Sequence, residues 1–154
     1  MRRARMKQVR TWVLIADGRR AQVYRTYGRA SRLEAVPGME LETVLPPSRE
    51  IMADRPGRTF ESQGATRHAM ERPTDPHRDA KRQFARRIAA VIEERLNAGH
   101  FDKLVVVAPA VTMGDLREEL SDRVKARIAG ELVADLTKIP VQELPSHLER
   151  VLQP

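Results

Sequence analysis

Residues 11–25, TWVLIADGRRAQVYR, decide the fold. Residues 11–16 form an apolar run of the kind found in a strand covered on both faces. Asp17-Gly18 is a hairpin-turn dipeptide: the aspartate bonds its own backbone and the glycine tolerates left-handed φ. Residues 21–25 then alternate, with Ala21, Val23 and Arg25 on one side and Gln22 and Tyr24 on the other. Together they predict an antiparallel hairpin. Gly28 and Ser31 mark a second turn, and residues 33–36 read as a third strand that stops at Pro37-Gly38. Residues 39–45 either extend that sheet or lie along its edge.

Downstream, residues 46–75 are polar and follow neither the strand period nor the helix period, which in so long a segment marks a functional or disordered loop. They are expected to be the most mobile internal stretch. Asp75-Pro76 is a helix start, with a capping carboxylate and proline at the first helical position. Phe84, Ala85, Ile88, Val91, Ile92 and Leu96 follow at helical spacing, and Gly99 ends the helix. Residues 104–108, LVVVA, suit a central strand, stopped by Pro109. Thr112 is placed to cap a helix through Leu120, Ser121 to cap another through Ile128, and residues 131–136 to form the last strand. Val141, Leu144, Leu148, Val151 and Leu152 form a final amphipathic pattern that Pro145 breaks or kinks. The fold class is therefore α/β: a single mixed sheet, built as a three-strand antiparallel meander followed by helix-strand-helix-strand-helix. The expected organisation is a basic N-terminal arm at 1–10 and one domain at 11–154 with a long basic loop at 46–75.

The chain has 154 residues and a net charge of +7. Its charge is uneven. Residues 1–32 hold ten Lys/Arg against one acid, Asp17, a net of +9, while the remainder holds 18 bases and 20 acids, a net of −2. Such a local field attracts phosphate backbones. With no cysteine, disulfides, thiolate catalysis and cysteine-ligated metals are excluded. The short apolar run at 12–16 is no signal peptide and no stretch is long enough to span a membrane, so a soluble cytoplasmic protein is expected.

Candidate anion-binding residues fall in three places. The loop carries Arg55, Arg58, Arg67, His68 and Arg72; the hairpin turn carries Arg19 and Arg20; the long helix carries Arg78, Arg82 and Arg86 in one column with Lys81 beside it. Like charges at that spacing cost a helix roughly 0.2–0.5 kcal/mol per pair, and cations near a helix N-terminus oppose its dipole. Either a bound anion relieves this or acids do: Asp79, Glu71 or the acidic end of another helix. The column is expected to be replaceable without loss of the fold. Three Phe and one Trp leave little for base stacking, so RNA contacts should be directed at phosphate. No metal, nucleophile or phosphate-loop motif is present: His68, His77, His100 and His147 lack ligand spacing. A two-metal nuclease would need converging carboxylates. Asp17 is better assigned to its turn, Asp115 to a helix start, and Asp135 lies near the end of the last strand. No cofactor is indicated.

The segments WVLIADGRRAQVY (12–24), RPGRTFESQGATRHAME (55–71), DPH (75–77), FDKLVVVAPAVTMGDLREELS (101–121) and ADLTKIPVQEL (134–144) resemble those of the bacterial host attachment proteins, also described as proteins required for attachment to host cells. That family is similar to the central domain of archaeo-eukaryotic class 1 release factors and Pelota. The resemblance implies a ribonuclease-H-like or ribosomal-protein-like α/β fold with sheet order 3-2-1-4-5 and strand 2 antiparallel, and a ribosome- or RNA-associated role. The Gly-Gly-Gln tripeptide with which release factors hydrolyse peptidyl-tRNA is not carried over: Ser62-Gln63-Gly64 stands in a similar place without the glycine ahead of the glutamine. The expected function is accordingly a non-catalytic RNA- or ribosome-binding protein. The alternatives are a hydrolase, acting as nuclease or peptidyl-tRNA/ester hydrolase, and a factor in host-cell attachment, as the family name implies; the last conflicts with the missing export signal.

Overall fold

The computed structural model describes residues 9–27, 32–43 and 76–152. The arm preceding residue 9 and the loop at 46–75, with Arg55, Arg58, Arg67, His68, Arg72 and Gln63, lie outside the described residues. The elements are β1 (Arg10–Ala16), β2 (Arg20–Tyr27), β3 (Glu34–Glu42), α1 (Pro76–Asn97), β4 (Lys103–Ala108), α2 (Ala110–Glu119), α3 (Asp122–Lys125) and β5 (Ile128–Val133). A 3-10 turn (Val141–Glu143) then leads into α4 (Leu144–Leu152). One mixed sheet has the order β3-β2-β1-β4-β5. β2 is antiparallel to β1 and β3, whereas β4 is parallel to β1 and β5. This is the order expected from the resemblance.

Strand alternation divides the core between two faces. Trp12, Leu14, Ala16, Leu104, Val106 and Ala108 face α1–α3, where they pack against Phe84, Ile88, Ile92, Met113, Leu116 and Val124. Val13, Ile15, Val105 and Val107 face the other way, onto Leu136, Leu144, Leu148 and Leu152 around α4. The central strands β1 and β4 are thus covered on both sides, which is why residues 11–16 and 104–108 read as continuous apolar runs. α1 ends in a Schellman cap. The amide of Gly99 donates to the Leu96 carbonyl at 2.9 Å and that of His100 to the Arg95 carbonyl at 3.0 Å. Gly99 sits at φ +76°, where a side chain would be strained.

Several boundaries differ from the sequence expectation. β3 does not stop at Pro37-Gly38 but continues to Glu42. Between the pairs Gln22↔Glu40 and Tyr24↔Ala35, one residue of β2 faces four of β3. This bulge takes up the proline, which has no amide for the ladder, and Gly38 at φ +80°. It also turns both Val36 and Met39 into the core. Thr112 does not cap α2. The helix begins at Ala110, with Pro109 as N-cap and its carbonyl taking the Met113 amide at 2.8 Å, and Thr112 is buried inside. Ser121 does cap α3, accepting from the Val124 amide, but that helix closes after one turn instead of reaching Ile128. β5 therefore starts at Ile128, three residues ahead of the expected 131–136, because Ile128 pairs with Leu104 at the start of β4. Pro145 puts no kink within α4. It occupies the first turn, where amides lack helical acceptors, just after the 3-10 turn.

Candidate functional site

The β1–β2 turn is held by Asp17, whose Oδ1 accepts the amides of Arg19 and Arg20, each at 2.8 Å. Its Oδ2 accepts from the Thr137 hydroxyl at 3.1 Å. Partial burial opposes ionisation of Asp17. The two amides, the Thr137 hydroxyl and the Arg20 charge outweigh it and hold the carboxyl below its usual range. Asp17 is a turn clamp, as its place in the sequence suggested. The Lys81 stem crosses over Gly18: a Cβ built on that glycine would lie 2.9 Å from Lys81 Cγ and Cδ. This contact ties the Arg19–Arg20 turn to the second turn of α1. At the same pole the Thr43 amide, just past β3, donates to the Arg19 carbonyl at 2.8 Å. The described residues on either side of 44–75, the end of β3 and the first two turns of α1, therefore lie at this pole of the sheet. Arg19 and Arg82 are exposed there; Arg20 and Lys81 are half-buried.

The arginine column is not uniformly available. Arg78 makes a two-pronged pair with Asp115 of α2, Nη1 to Oδ2 at 2.9 Å and Nη2 to Oδ1 at 2.5 Å. The Asp115 side chain is 6% exposed and that of Arg78 32%. Arg86 faces Glu119 of α2 at 3.3 Å. The counter-charge from another helix, one of the two alternatives the sequence left open, holds for these two residues. The expectation that the whole column can be replaced with the fold intact did not foresee the pair at Arg78, whose loss would leave the buried Asp115 carboxylate without this partner. Arg82 is left exposed between them. Arg87, on the neighbouring side of the helix, reaches the Glu42 carbonyl at 3.2 Å and lies 5.8 Å from the Phe84 ring centre.

The carboxylates converge only in part. Thr137 Oγ1 lies 3.1 Å from Asp17 and 2.7 Å from Asp135, at the C-terminal ends of β1 and β5. Asp115 is held apart in its pair with Arg78. Among the described residues no three His, Asp or Glu side chains gather as metal ligands. Thr137 also borders a cleft of about 300 Å³ on the α4 face of the sheet, lined by Arg20, Gln22, Tyr24, Glu40 and Glu42. Burial, and then the Glu40 charge, raise the Tyr24 hydroxyl above its usual pKa. The cleft thus presents both signs of charge.

A second basic group, not foreseen from the sequence, lies at the opposite ends of the strands. Arg10, Arg25, Arg95 and His100 surround one cavity with Trp12. They are scattered along the chain, and only the cross-strand pairing of Trp12 with Arg25 is a signal that a correct hairpin register would yield.

Among the described residues no helix is long and apolar enough to cross a membrane. No curated protein sequence matches the chain. Solved structures resemble the chain at low identity. An archaeal protein is 14% identical with a TM-score of 0.46, covering 92% of this chain and 36% of its own. The archaeal translation termination factor aRF1 is 14% identical with a TM-score of 0.42, covering 92% of this chain and 37% of its own. The Aquifex aeolicus PPX-GPPA enzyme is 10% identical with a TM-score of 0.38, covering 82% and 36%. The chain spans little more than a third of each of these longer proteins. The sequence profile of the family described as "Protein required for attachment to host cells" matches residues 12–148, from β1 into α4, and the chain belongs to that family.

Proposed function

We propose that this protein binds RNA, free or within the ribosome, through phosphate contacts and without catalysing a reaction. The observation that carries the proposal is the packing of Lys81 over Gly18. It ties the Arg19–Arg20 turn to the helix turn that carries Lys81 and Arg82, so that these cations gather at one pole of the sheet; the sequence of residues 46–75 adds further arginines between β3 and α1. Phosphate-directed binding needs this kind of cation cluster and little base stacking. The test is co-sedimentation with ribosomes and filter binding to single-stranded RNA for the wild type and an Arg19→Gln/Arg20→Gln/Arg82→Gln variant. Arg78 is left intact to keep the fold. Wild-type affinity should fall steeply between about 50 and 200 mM salt, and the variant should bind about tenfold or more weaker with a shallower salt slope. No binding at low salt, or equal binding by the variant, would sink the proposal.

A hydrolase reading draws on one observation, the meeting of Asp17 and Asp135 at Thr137. Asp17 is already engaged by two amides and a hydroxyl and its proton affinity is lowered, which leaves it poorly suited to acid–base work. RNA or peptidyl-tRNA cleavage by the wild type that is lost in Asp135→Asn would favour this second reading instead.

A further inference from the structure

The cavity at the N-terminal ends of the parallel strands measures about 360 Å³ and is lined by Arg10, Trp12, Arg25, Val36, Pro37, Arg95 and His100. Its lining holds three guanidiniums and an imidazole but no carboxylate. The acids nearby are paired with two of the arginines. Arg10 spends its donors on Asp102, at 3.1 Å from both Nε and Nη2, and on the Gly99 carbonyl at 2.7 Å, so it is a fixed wall. Arg25 uses Nε on Glu34 at 3.3 Å. Among the described residues no carboxylate lies within ion-pairing distance of Arg95. Its guanidinium reaches over the β3 bulge, 3.5 Å from where a Gly38 Cβ would stand, and its Nη1 lies 3.5 Å from His100 Nδ1. The Schellman cap of α1 sets Arg95 and His100 side by side. It also satisfies the Arg95 and Leu96 carbonyls, which would otherwise repel an anion.

We infer that this cavity binds a small phosphomonoester, with the phosphate between Arg25 and Arg95 and the organic body against Trp12, Val36 and Pro37. Two guanidinium forks approach from different elements, β2 and α1. The two coplanar oxygens of a carboxylate are satisfied by one fork, whereas the three terminal oxygens of a phosphomonoester serve both forks and His100. The apolar floor favours an ester over the bare ion, and the volume is at the lower end of small-molecule sites, roughly 300–1,000 Å³. The site lies at the other end of the strands from the surface proposed for RNA and does not rest on that proposal.

Trp12 is the only tryptophan in the chain, so its fluorescence reports on this cavity. Phenyl phosphate, inorganic phosphate and benzoate would be titrated into the full chain. Phenyl phosphate should give a saturable change, with inorganic phosphate and benzoate each at least several-fold weaker. Arg95→Gln, at a half-buried position near the end of α1, should raise the Kd for phenyl phosphate about tenfold while leaving the near-ultraviolet dichroism of Trp12 unchanged. Arg25→Gln should act in the same direction. The Arg19→Gln/Arg20→Gln/Arg82→Gln variant should titrate like the wild type, which separates this site from the RNA surface. No saturable change with phenyl phosphate, equal affinity for benzoate or inorganic phosphate, or an undiminished response in Arg95→Gln would overturn the inference.

Discussion

Replacing Arg78 by Gln should destabilise the protein far more than an arginine on an outer helix face ordinarily would. Its partner Asp115 has 6% of its side chain exposed, and the pair closes with contacts of 2.9 and 2.5 Å. Removing one member of a buried pair typically costs about 3–5 kcal/mol, because the remaining charge is left without solvent or partner. Arg78 itself is 32% exposed, so water can enter the vacated space, and we expect about 2–4 kcal/mol. For a chain of this size that corresponds to a drop of about 5–12 °C in Tm. The reciprocal change, Asp115→Asn, leaves the cation, which can turn towards water, and should cost only about 1–2 kcal/mol. The double variant should recover part of the Arg78→Gln loss. Thermal unfolding followed by circular dichroism on the four proteins of this cycle measures all three quantities. A Tm change below about 2 °C for Arg78→Gln, or an Asp115→Asn variant as unstable as Arg78→Gln, would refute the reasoning.

Asp17→Asn should weaken the β1–β2 turn in a pH-dependent way. The folded-state pKa of Asp17 lies below its usual value, so its ionised form contributes stability above the unfolded pKa, about 4. That contribution is lost as pH falls through the lower folded value. The Tm gap between wild type and variant should be full at neutral pH and close in acid; a gap constant down to about pH 2 would contradict the clamp. Gly18→Ala forces a Cβ to within 2.9 Å of the Lys81 stem and should cost about 1 kcal/mol or more. Adding Lys81→Ala should relieve it, and a denaturant midpoint that Lys81→Ala does not restore would show that the strain lies elsewhere. Leu148→Ala removes a fully buried side chain from the α4 face and should lower stability by about 2–5 kcal/mol in chemical unfolding. A loss under about 1 kcal/mol would mean that α4 barely contributes to that face.

Residues 11–25 and 104–108 revealed the hairpin and the doubly covered strands because strand period and apolar content are local properties of the chain. The Phe84 to Leu96 stripe and the Gly99 cap were legible for the same reason, as was the Ser121 cap. Local pattern misplaced β3 and β5. In β3 a bulge absorbs Pro37-Gly38, and its cost is offset by Val36 and Met39 reaching the core, which only the packed sheet can show. In β5 the start is set by the partner residue on β4, and its own half-exposed side chains carry little periodicity. The candidate site divides along the same line. That Arg19, Arg20, Arg78, Lys81, Arg82 and Arg86 are cationic and close to turns was plain from their order in the chain. Which of them are neutralised was not, because Asp115 and Glu119 come from another helix. The family was legible in the motifs, since a profile compares residue order alone. The cavity of Arg10, Arg25, Arg95 and His100 arises from residues up to 90 positions apart, joined by strand register and a helix cap. Composition and periodicity determined the layers of this protein, because burial of apolar surface follows pattern. The pairing of its charges was decided only by the tertiary structure, because electrostatic partners are chosen by distance in space.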